Sequence, residues 1–311
     1  MQAGTKPIYG LNRNVVGSAP IPQRPSWLPK TGKGQSNVKA NCWSLTIEQW
    51  VYFVKECAAT STWDALVKAK GEYNINMYDV NDHFVIPWTK GTGSSLALLM
   101  REANILNCSG QTSKNDEDQL EVELMISHAW GGSVVETYNC MQNLVNHHKI
   151  PRRTNIFFCT FCLYQVNDVP QTSALGGLSI PEQLKQEPFA QIIQSEPKYG
   201  MYVVHTTLYE VYGRMWTVHE VDECTAHDVE ASGLFDMYRW SNASFEEKSL
   251  RSIDTRDAEC RLEDKEMLVN LIKKRGGFDR LNAKIKEFRM KMRNQLQTYS
   301  FKFPTRTPME K

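Results

Sequence analysis

The segment "NIFFCTFCLYQ", residues 155–165, is a nearly unbroken run of apolar side chains. A strand with one face in water alternates apolar and polar residues, whereas a strand that is covered on both faces does not. The run is also too short to cross a membrane, because a membrane helix needs about 20 apolar residues. We therefore predict an interior strand of a parallel sheet, in which Cys159 and Cys162 point to opposite faces.

Two further apolar segments flank this one, namely "LEVELMISHAW" at residues 120–130 and "GMYVVHT" at residues 200–206. The stretches between and after them have the spacing of amphipathic helices; they are residues 133–148, 179–195 and 208–224. Ser133 and Glu136 have the spacing of a capping box at the start of the first of these helices. Strands that alternate with helices are typical of an α/β protein with a parallel sheet.

The composition divides the chain into four regions, at residues 1–40, 41–118, 119–245 and 246–311. The first has six Lys/Arg, no Asp/Glu and five prolines, which predicts an extended or disordered basic arm. The second is predicted to be mainly helical, with a capping box at Thr46 and Gln49. The third is the α/β domain, and the fourth is a helical extension with a C-terminal tail, whose two helices are separated at Gly276–Gly277.

Charge and cysteine content exclude several classes of function. The net charge is +1, so no overall attraction to nucleic acid or to an anionic membrane is expected. The eight cysteines lack a second Cys-x-x-Cys pair, and we expect free buried thiols and no metal site. The absence of an apolar leader favours a cytoplasmic location. Residues 265–306 carry twelve Lys/Arg against three Asp/Glu, which indicates either an anion or partner surface or a solvated helix face.

Ligands of parallel sheets bind beyond the carboxyl ends of the strands. For the first strand, this rule selects residues 127–132, with Ser127, His128, Trp130 and Gly131 as site candidates. For the second strand it selects residues 164–168, with Tyr164 and Asp168 as site candidates, and for the third it selects residues 206–210.

Three segments in this order resemble the TIR (Toll/interleukin-1 receptor-like) domain, particularly its divergent forms in unicellular eukaryotes. They are "LMISHAWGG", "IFFCTFCLYQ" and "MYVVHTTLYEVYGRMWTVHEVDEC", and the last contains the Trp-x-x-x-Glu motif at Trp216 and Glu220. The resemblance covers roughly residues 120–230. It implies a flavodoxin-like parallel sheet flanked by helices, with helical N- and C-terminal extensions outside it.

Catalytic members of that family cleave the nicotinamide–ribose bond of NAD, and the resemblance assigns the essential carboxylate to Glu220. NAD would be the substrate, and no cofactor would be required. The resemblance places Ser127, His128 and Trp130 at the nicotinamide end, and it places Tyr164 and Asp168 near ribose. Gly131, before a helix N-terminus, would favour a phosphate. The chain departs from the family after its second strand, where Gln165 and Asn167 precede the acid and the next loop carries Leu175-Gly-Gly.

Other hypotheses remain open at this stage. Glu220 is either catalytic or an ordinary helix acid, exposed or paired with Arg214, and Trp216 is expected to pack and so to position Glu220. The chain as a whole could be an NAD glycohydrolase activated by self-association. It could instead be a catalytically silent scaffold whose partners bind residues 1–40 and the tail at 298–311, or a nucleotide sensor without turnover.

Overall fold

The computed structural model describes residues 20–107, 121–237, 239–240, 253–260 and 262–299. Its centre is a five-stranded mixed sheet in the order β1-β3-β2-β4-β5. The strands are β1 (Leu45–Thr46), β2 (Leu124–Ser127), β3 (Asn155–Phe158), β4 (Met201–His205) and β5 (Ala231–Phe235). β1 runs antiparallel to β3, and the other three pairings are parallel. The predicted α/β class is therefore confirmed.

Helices flank this sheet. The N-terminal ones are α1 (Ile47–Ala58), α2 (Ser61–Lys70), α3 (Met77–Val80), a π-helical turn (Asn81–Val85), α4 (Ile86–Thr89) and α5 (Leu96–Glu102). Those of the α/β region are α6 (Val134–Asn146), α7 (Cys159–Cys162), α8 (Val169–Thr172), α9 (Ile180–Leu184), α10 (Pro188–Gln194) and α11 (Met215–Ala226). The C-terminal helices are α12 (Leu262–Lys274) and α13 (Gly277–Tyr299).

The sheet is buried on both faces, which explains the continuous apolar segments. Every residue of β2 is buried, and Ile126 of β2 lies opposite Phe158 on one side and Tyr202 on the other. Because helices cover both faces of such a sheet, inward and outward positions are equally apolar.

The predicted strand over residues 155–165 is shorter in the structure, and the prediction for its two cysteines is wrong. The ladder between β2 and β3 ends at the pair Ile126–Phe158, and residues 159–162 form the helical turn α7. The Phe158 amide bonds to Cys162 Sγ at 3.2 Å. Residues three apart in a helix lie on neighbouring positions of one face. Cys162 is buried there, whereas Cys159 is partly exposed.

The two capping boxes predicted from spacing have different outcomes. At the start of α1, Thr46 and Gln49 bond reciprocally, as predicted. At the start of α6, Ser133 Oγ accepts the Glu136 amide at 3.4 Å, but the Glu136 carboxylate instead accepts the Thr207 amide at 2.7 Å. The carboxylate of Glu136 therefore holds the loop that follows β4 rather than the start of its own helix.

The N-terminal regions are less separate than their composition predicts. Residues 1–19 lie outside the described chain, but residues 20–40 pack against the domain. Gln35 is fully buried, and its amide group donates to the Cys162 carbonyl and accepts from the Ser95 amide. The region that follows supplies β1 to the sheet, so the described part of residues 41–118 shares the domain core.

Both C-terminal helices pack on α11, and α13 also packs on β5. The first helix ends at Lys274 and the second begins at Gly277, so the predicted break at Gly276–Gly277 is displaced by one residue. Residues 300–311 lie outside the described chain. Among the helices that the structure describes, none combines the length and the apolar character needed to cross a membrane.

Candidate functional site

A cleft opens beyond the carboxyl ends of β2 and β3, and α11 forms its far wall. Its cavity volume is about 100 Å³, and the empty space reaches about 780 Å³ when the open mouth is included. This cavity is smaller than the apolar cavity of about 150 Å³ that holds a benzene ring, so a ring-sized ligand would also occupy part of the open mouth. The lining residues are Tyr78, His128, Trp130, Cys159, Leu163, Gln165, Ile180, Leu184, Phe189, Arg214, Trp216, Thr217, Glu220 and Asp264.

Helix α11 brings the two residues of the Trp-x-x-x-Glu motif to the same wall. Trp216 and Glu220 are four residues apart, which places them on one face of a helix. The side chain of Thr217 donates to the His128 carbonyl at 3.4 Å, so the helix is attached directly to the loop after β2. Trp216 and Glu220 consequently face the loop that contains His128 and Trp130.

Glu220 lies at the inner end of the cleft and is 5% exposed. Its Oε2 accepts a hydrogen bond from Ser127 Oγ at the end of β2. Burial raises the pKa of Glu220 to about 8, and the Ser127 hydrogen bond opposes that rise. Within the described chain, no lysine or arginine forms an ion pair with Glu220. The resting carboxyl group is therefore mainly protonated at neutral pH.

His128 is a neutral member of the site. Its Nε2 lies 3.1 Å from Thr160 Oγ1, and its ring packs edge-on against Phe158 at 4.3 Å between centroids. Burial and the nearby charge of Arg214 together lower the pKa of His128 to about 3, although a hydrogen bond with the Ile126 backbone opposes the shift. A neutral imidazole adds no repulsion to a cationic ligand.

Aromatic rings form two walls of the cleft. Trp130 packs against Tyr78 with 5.3 Å between ring centroids, and Trp216 packs against Phe189 at 4.9 Å. Trp216 Nε1 donates to Asp264 Oδ2 of α12 at 3.0 Å. Trp216, expected to be a packing residue, is thus also part of the cleft wall. Such aromatic faces attract flat cationic rings.

The charged groups at the cleft are distributed unevenly. Arg214, at the N-terminus of α11, pairs with Glu259 at 3.3 Å, whereas Glu220 bonds to Ser127. The pairing of Glu220 with Arg214, one of the alternatives raised by the sequence, is therefore absent. The cleft combines the buried carboxyl group of Glu220, the side chain of Asp264 beside Trp216, and the guanidinium group of Arg214.

Four of the residues selected from the sequence do not line the cleft; Ser127 lies behind Glu220 and bonds to it, and the other three lie elsewhere. Tyr164 and Asp168 bond to each other at 2.5 Å, and Asp168 also accepts the Gly91 amide at 2.8 Å. Gly131 faces the ring of Tyr209, and a Cβ atom at Gly131 would come within 2.7 Å of that ring. Tyr164, Asp168 and Gly131 therefore do not line the cleft, although each follows a strand as predicted.

Gln165 lies within residues 164–168, which the rule about strand ends selected, and it lines the cleft. It reaches the cleft together with Cys159 because α7 turns the chain after β3, and Gln165 Nε2 donates to the Cys159 carbonyl at 3.2 Å. Several other lining residues were not selected: Cys159 itself, Ile180, Leu184 and Phe189 from short helices, and Asp264 from the C-terminal extension. Burial raises the pKa of the Cys159 thiol to about 12, so this thiol is not ionised at neutral pH.

Helix α11 also carries a buried group of charged residues beside and beyond Glu220. Asp222 is fully buried and pairs with Arg280 at 2.7 Å, and Glu223 pairs with Arg275 at 2.6 Å. His219 Nε2 lies 3.4 Å from Glu223. Part of the basic surplus at residues 265–306 therefore anchors the helix that carries Glu220.

The fold and the cleft define an α/β protein with a mainly apolar cleft at the carboxyl edge of its sheet, containing one buried carboxyl group. Comparisons with protein-family models, curated proteins and solved structures find no match for this chain. In the described part of the chain, no group of three or more His, Cys, Asp or Glu side chains is arranged to hold a metal ion.

Proposed function

We propose that this chain is a TIR-like NAD glycohydrolase with a flavodoxin-like core. The parallel strands lie in the order β3-β2-β4-β5. Numbered along the α/β region, this is the order 2-1-3-4 found in flavodoxin-like sheets. The additional strand β1 comes from the region before the α/β segment and pairs antiparallel at the β3 edge. The order agrees with the resemblance of residues 120–230 to a TIR domain.

The observation that carries the proposal is the buried Glu220 carboxyl group in a cleft whose walls include Trp130 and Trp216. Nicotinamide in NAD is a flat cationic ring, which would enter the cleft through its open mouth. Its positive charge next to Glu220 favours the ionised carboxylate, so ligand entry lowers the pKa of this group. The aromatic walls and the neutral His128 are compatible with the same charge.

The bond between ribose and nicotinamide then breaks, and its electron pair moves to the ring nitrogen, which becomes neutral. Positive charge develops on the ribose carbon and ring oxygen as in glycoside hydrolysis. The Glu220 carboxylate stabilises that charge, and water adds to the ribose carbon with loss of a proton. A fixed group aimed at developing charge typically contributes a factor of about 10²–10³ in rate.

The test is nicotinamide release from NAD by the purified protein and by Glu220→Gln. We expect release by the wild type and a loss of about 10²–10³-fold in the variant. Glu230→Gln, which changes an exposed acid outside the cleft, is the matched control and should retain the wild-type rate. A rate per molecule that rises with protein concentration would support activation by self-association. Equal release by wild type and Glu220→Gln would refute the proposal.

A silent scaffold or sensor is the second candidate, and it is favoured by the hydrogen bond that satisfies Glu220 within the protein. The described part of the N-terminal arm packs on its own domain, which weakens the case for partner binding through residues 20–40. NAD that raises the melting temperature without nicotinamide release would favour a sensor, because a bound ligand stabilises the folded state. If NAD neither raises the melting temperature nor releases nicotinamide, the scaffold is the hypothesis that remains.

A further inference from the structure

Arg214 is the only lysine or arginine among the cleft-lining residues in the described chain. The guanidinium is near enough to His128 to lower the pKa of that histidine. Its side chain is 16% exposed, which places it at the mouth rather than at the inner end. The cleft thus has a cationic group at its entrance and a carboxyl group inside.

Arg214 lies immediately before α11, and Glu220 follows it by six residues. The rise of a helix over six residues is about 9 Å at the backbone. A ligand whose cationic ring contacts Glu220 can therefore extend towards Arg214 with the group that is attached to that ring. Glu220, once ionised beside the cationic ring, would repel an anion at the inner end of the cleft, so an anionic group on the ligand belongs at the mouth.

Glu259, one partner of Arg214, is suited to exchange. Its side chain is 55% exposed, so water screens its ion pair with Arg214 and competes for the carboxylate. Glu259 has a second partner, because its Oε2 accepts the Tyr209 hydroxyl at 2.7 Å. Glu259 therefore keeps a hydrogen bond when the guanidinium turns to another anion.

We propose that Arg214 binds a phosphate of the ligand and makes the cleft selective for pyridine nucleotides over the corresponding nucleosides. The inference rests on the proposed function, since it assumes a pyridinium ring at Glu220. Guanidinium groups bind phosphate through two parallel N–H···O bonds, a geometry that lysine cannot reproduce. Arg214 is then a specificity-determining residue, and Glu259 is the internal anion that competes with the phosphate.

The experiment compares the dissociation constants of nicotinamide riboside and nicotinamide mononucleotide, which differ by one phosphate. We expect the mononucleotide to bind at least about tenfold more tightly to the wild type, as hydrogen bonds to a charged group allow. Arg214→Gln should reduce this advantage to less than about twofold, and Arg214→Lys should give an intermediate value. Glu259→Gln should increase the advantage, because it removes the competing charge but keeps an acceptor for Tyr209.

Arg152→Gln, at an exposed arginine away from the cleft, should keep the wild-type advantage. A phosphate advantage that persists in Arg214→Gln, or is absent from the wild type, would overturn the inference while leaving the proposed function intact. Failure of both ligands to bind the wild type would overturn the two together. Circular dichroism of each variant separates a changed preference from loss of folding.

Discussion

Ser127 donates a hydrogen bond to Glu220 across a separation of 93 residues in the chain. The donor ends β2, and the acceptor lies one turn into α11. Because both groups are almost fully buried, water cannot replace either partner. The bond therefore ties the orientation of the Glu220 carboxyl group to the central strand and partly offsets the effect of burial on its pKa.

The rate of nicotinamide release should depend on the ionisation of Glu220. With a pKa of about 8 in the free protein, kcat/KM should rise up to about pH 8 and then level. Ser127→Ala removes a hydrogen bond that lowers this pKa, so the midpoint should move up by about one pH unit. The measurement is the pH profile of kcat/KM, with Ser195→Ala on the exposed surface as the control. A midpoint that stays or moves down in Ser127→Ala would contradict the role assigned to this bond.

Glu220 should also make the free energy of unfolding depend on pH. Its pKa is raised from 4.5 to about 8 on folding, so its contribution is fully present below pH 4.5. Stability is lost as the pH rises towards 8, by at most about 1.4 kcal/mol per pH unit. Above that pH both states are ionised, and this slope ends.

Urea unfolding of the wild type and of Glu220→Gln between pH 5 and pH 8 provides the measurement, since the difference between the two removes the other titrating groups. The variant should gain stability relative to the wild type as the pH rises. If the free energies of unfolding of the two proteins change with pH in parallel, Glu220 has an ordinary pKa in the folded protein.

The ion pair between Asp222 and Arg280 should matter more for stability than a surface pair. Arg280→Met leaves the fully buried Asp222 carboxylate with only Arg275 at 3.8 Å. Removing one partner of a buried pair costs about 3–5 kcal/mol, but Arg280 is 32% exposed and one cation remains, so we expect about 2 kcal/mol. Arg256→Ala, which breaks ion pairs of an exposed arginine, should cost much less stability than Arg280→Met.

The double variant Asp222→Asn, Arg280→Met checks the physical cause in the same urea experiment. It should recover part of the loss, because an amide is less costly to bury without a partner than a carboxylate. A double variant that is no more stable than Arg280→Met would show that the loss comes from packing of the arginine chain.

Two glycines with the same backbone conformation should respond differently to alanine. Gly34 has φ +80° and Gly91 has φ +79°, but a Cβ atom at Gly34 would lie 1.9 Å from the Leu175 carbonyl oxygen, whereas one at Gly91 would meet nothing within 4 Å. Gly91→Ala should cost about 1–2 kcal/mol of backbone strain. Gly34→Ala should cost on the order of 2 kcal/mol more, because the segment around Gly34 must move away from the Leu175 carbonyl group.

Urea unfolding measures both costs, and limited proteolysis around residues 172–178 locates the change in Gly34→Ala. In the wild type, the Ser36 amide donates to the Gly176 carbonyl at 2.9 Å, so separation of the two segments removes this bond. If the two alanine variants lose the same free energy of unfolding, Gly34 does not pack closely against the loop that contains Leu175.

Local patterns predicted the elements well where the physical cause was local. The helical spacing and the Ser133 cap predicted α6, and the interior apolar runs predicted β2 and β4. The end of β3 at Phe158 was missed, because apolar side chains alone do not show where a neighbouring strand stops offering hydrogen bonds. The burial of Gln35 was missed for a similar reason, since its polar side chain is satisfied by distant backbone groups.

The candidate site was predicted in part. The rule about strand ends selected His128 and Trp130, which line the cleft, and also selected Tyr164 and Asp168, which bond to each other instead. Strand ends define an edge of the sheet, but packing decides which side chains at that edge remain open. Asp264 could not be selected, since it comes from an extension whose position is set by packing on α11.

The sequence by itself determined the alternation of strands and helices and the placement of Trp216 and Glu220 on one helical face. Hydrogen-bonding geometry over neighbouring residues is sufficient for both. Only the tertiary structure decided that Glu220 bonds to Ser127 and that Arg214 pairs with Glu259. It also decided that basic residues of the C-terminal helices pair with the buried acids of α11. Those pairings join residues far apart in the chain, and their distances depend on how the elements pack rather than on spacing along the sequence.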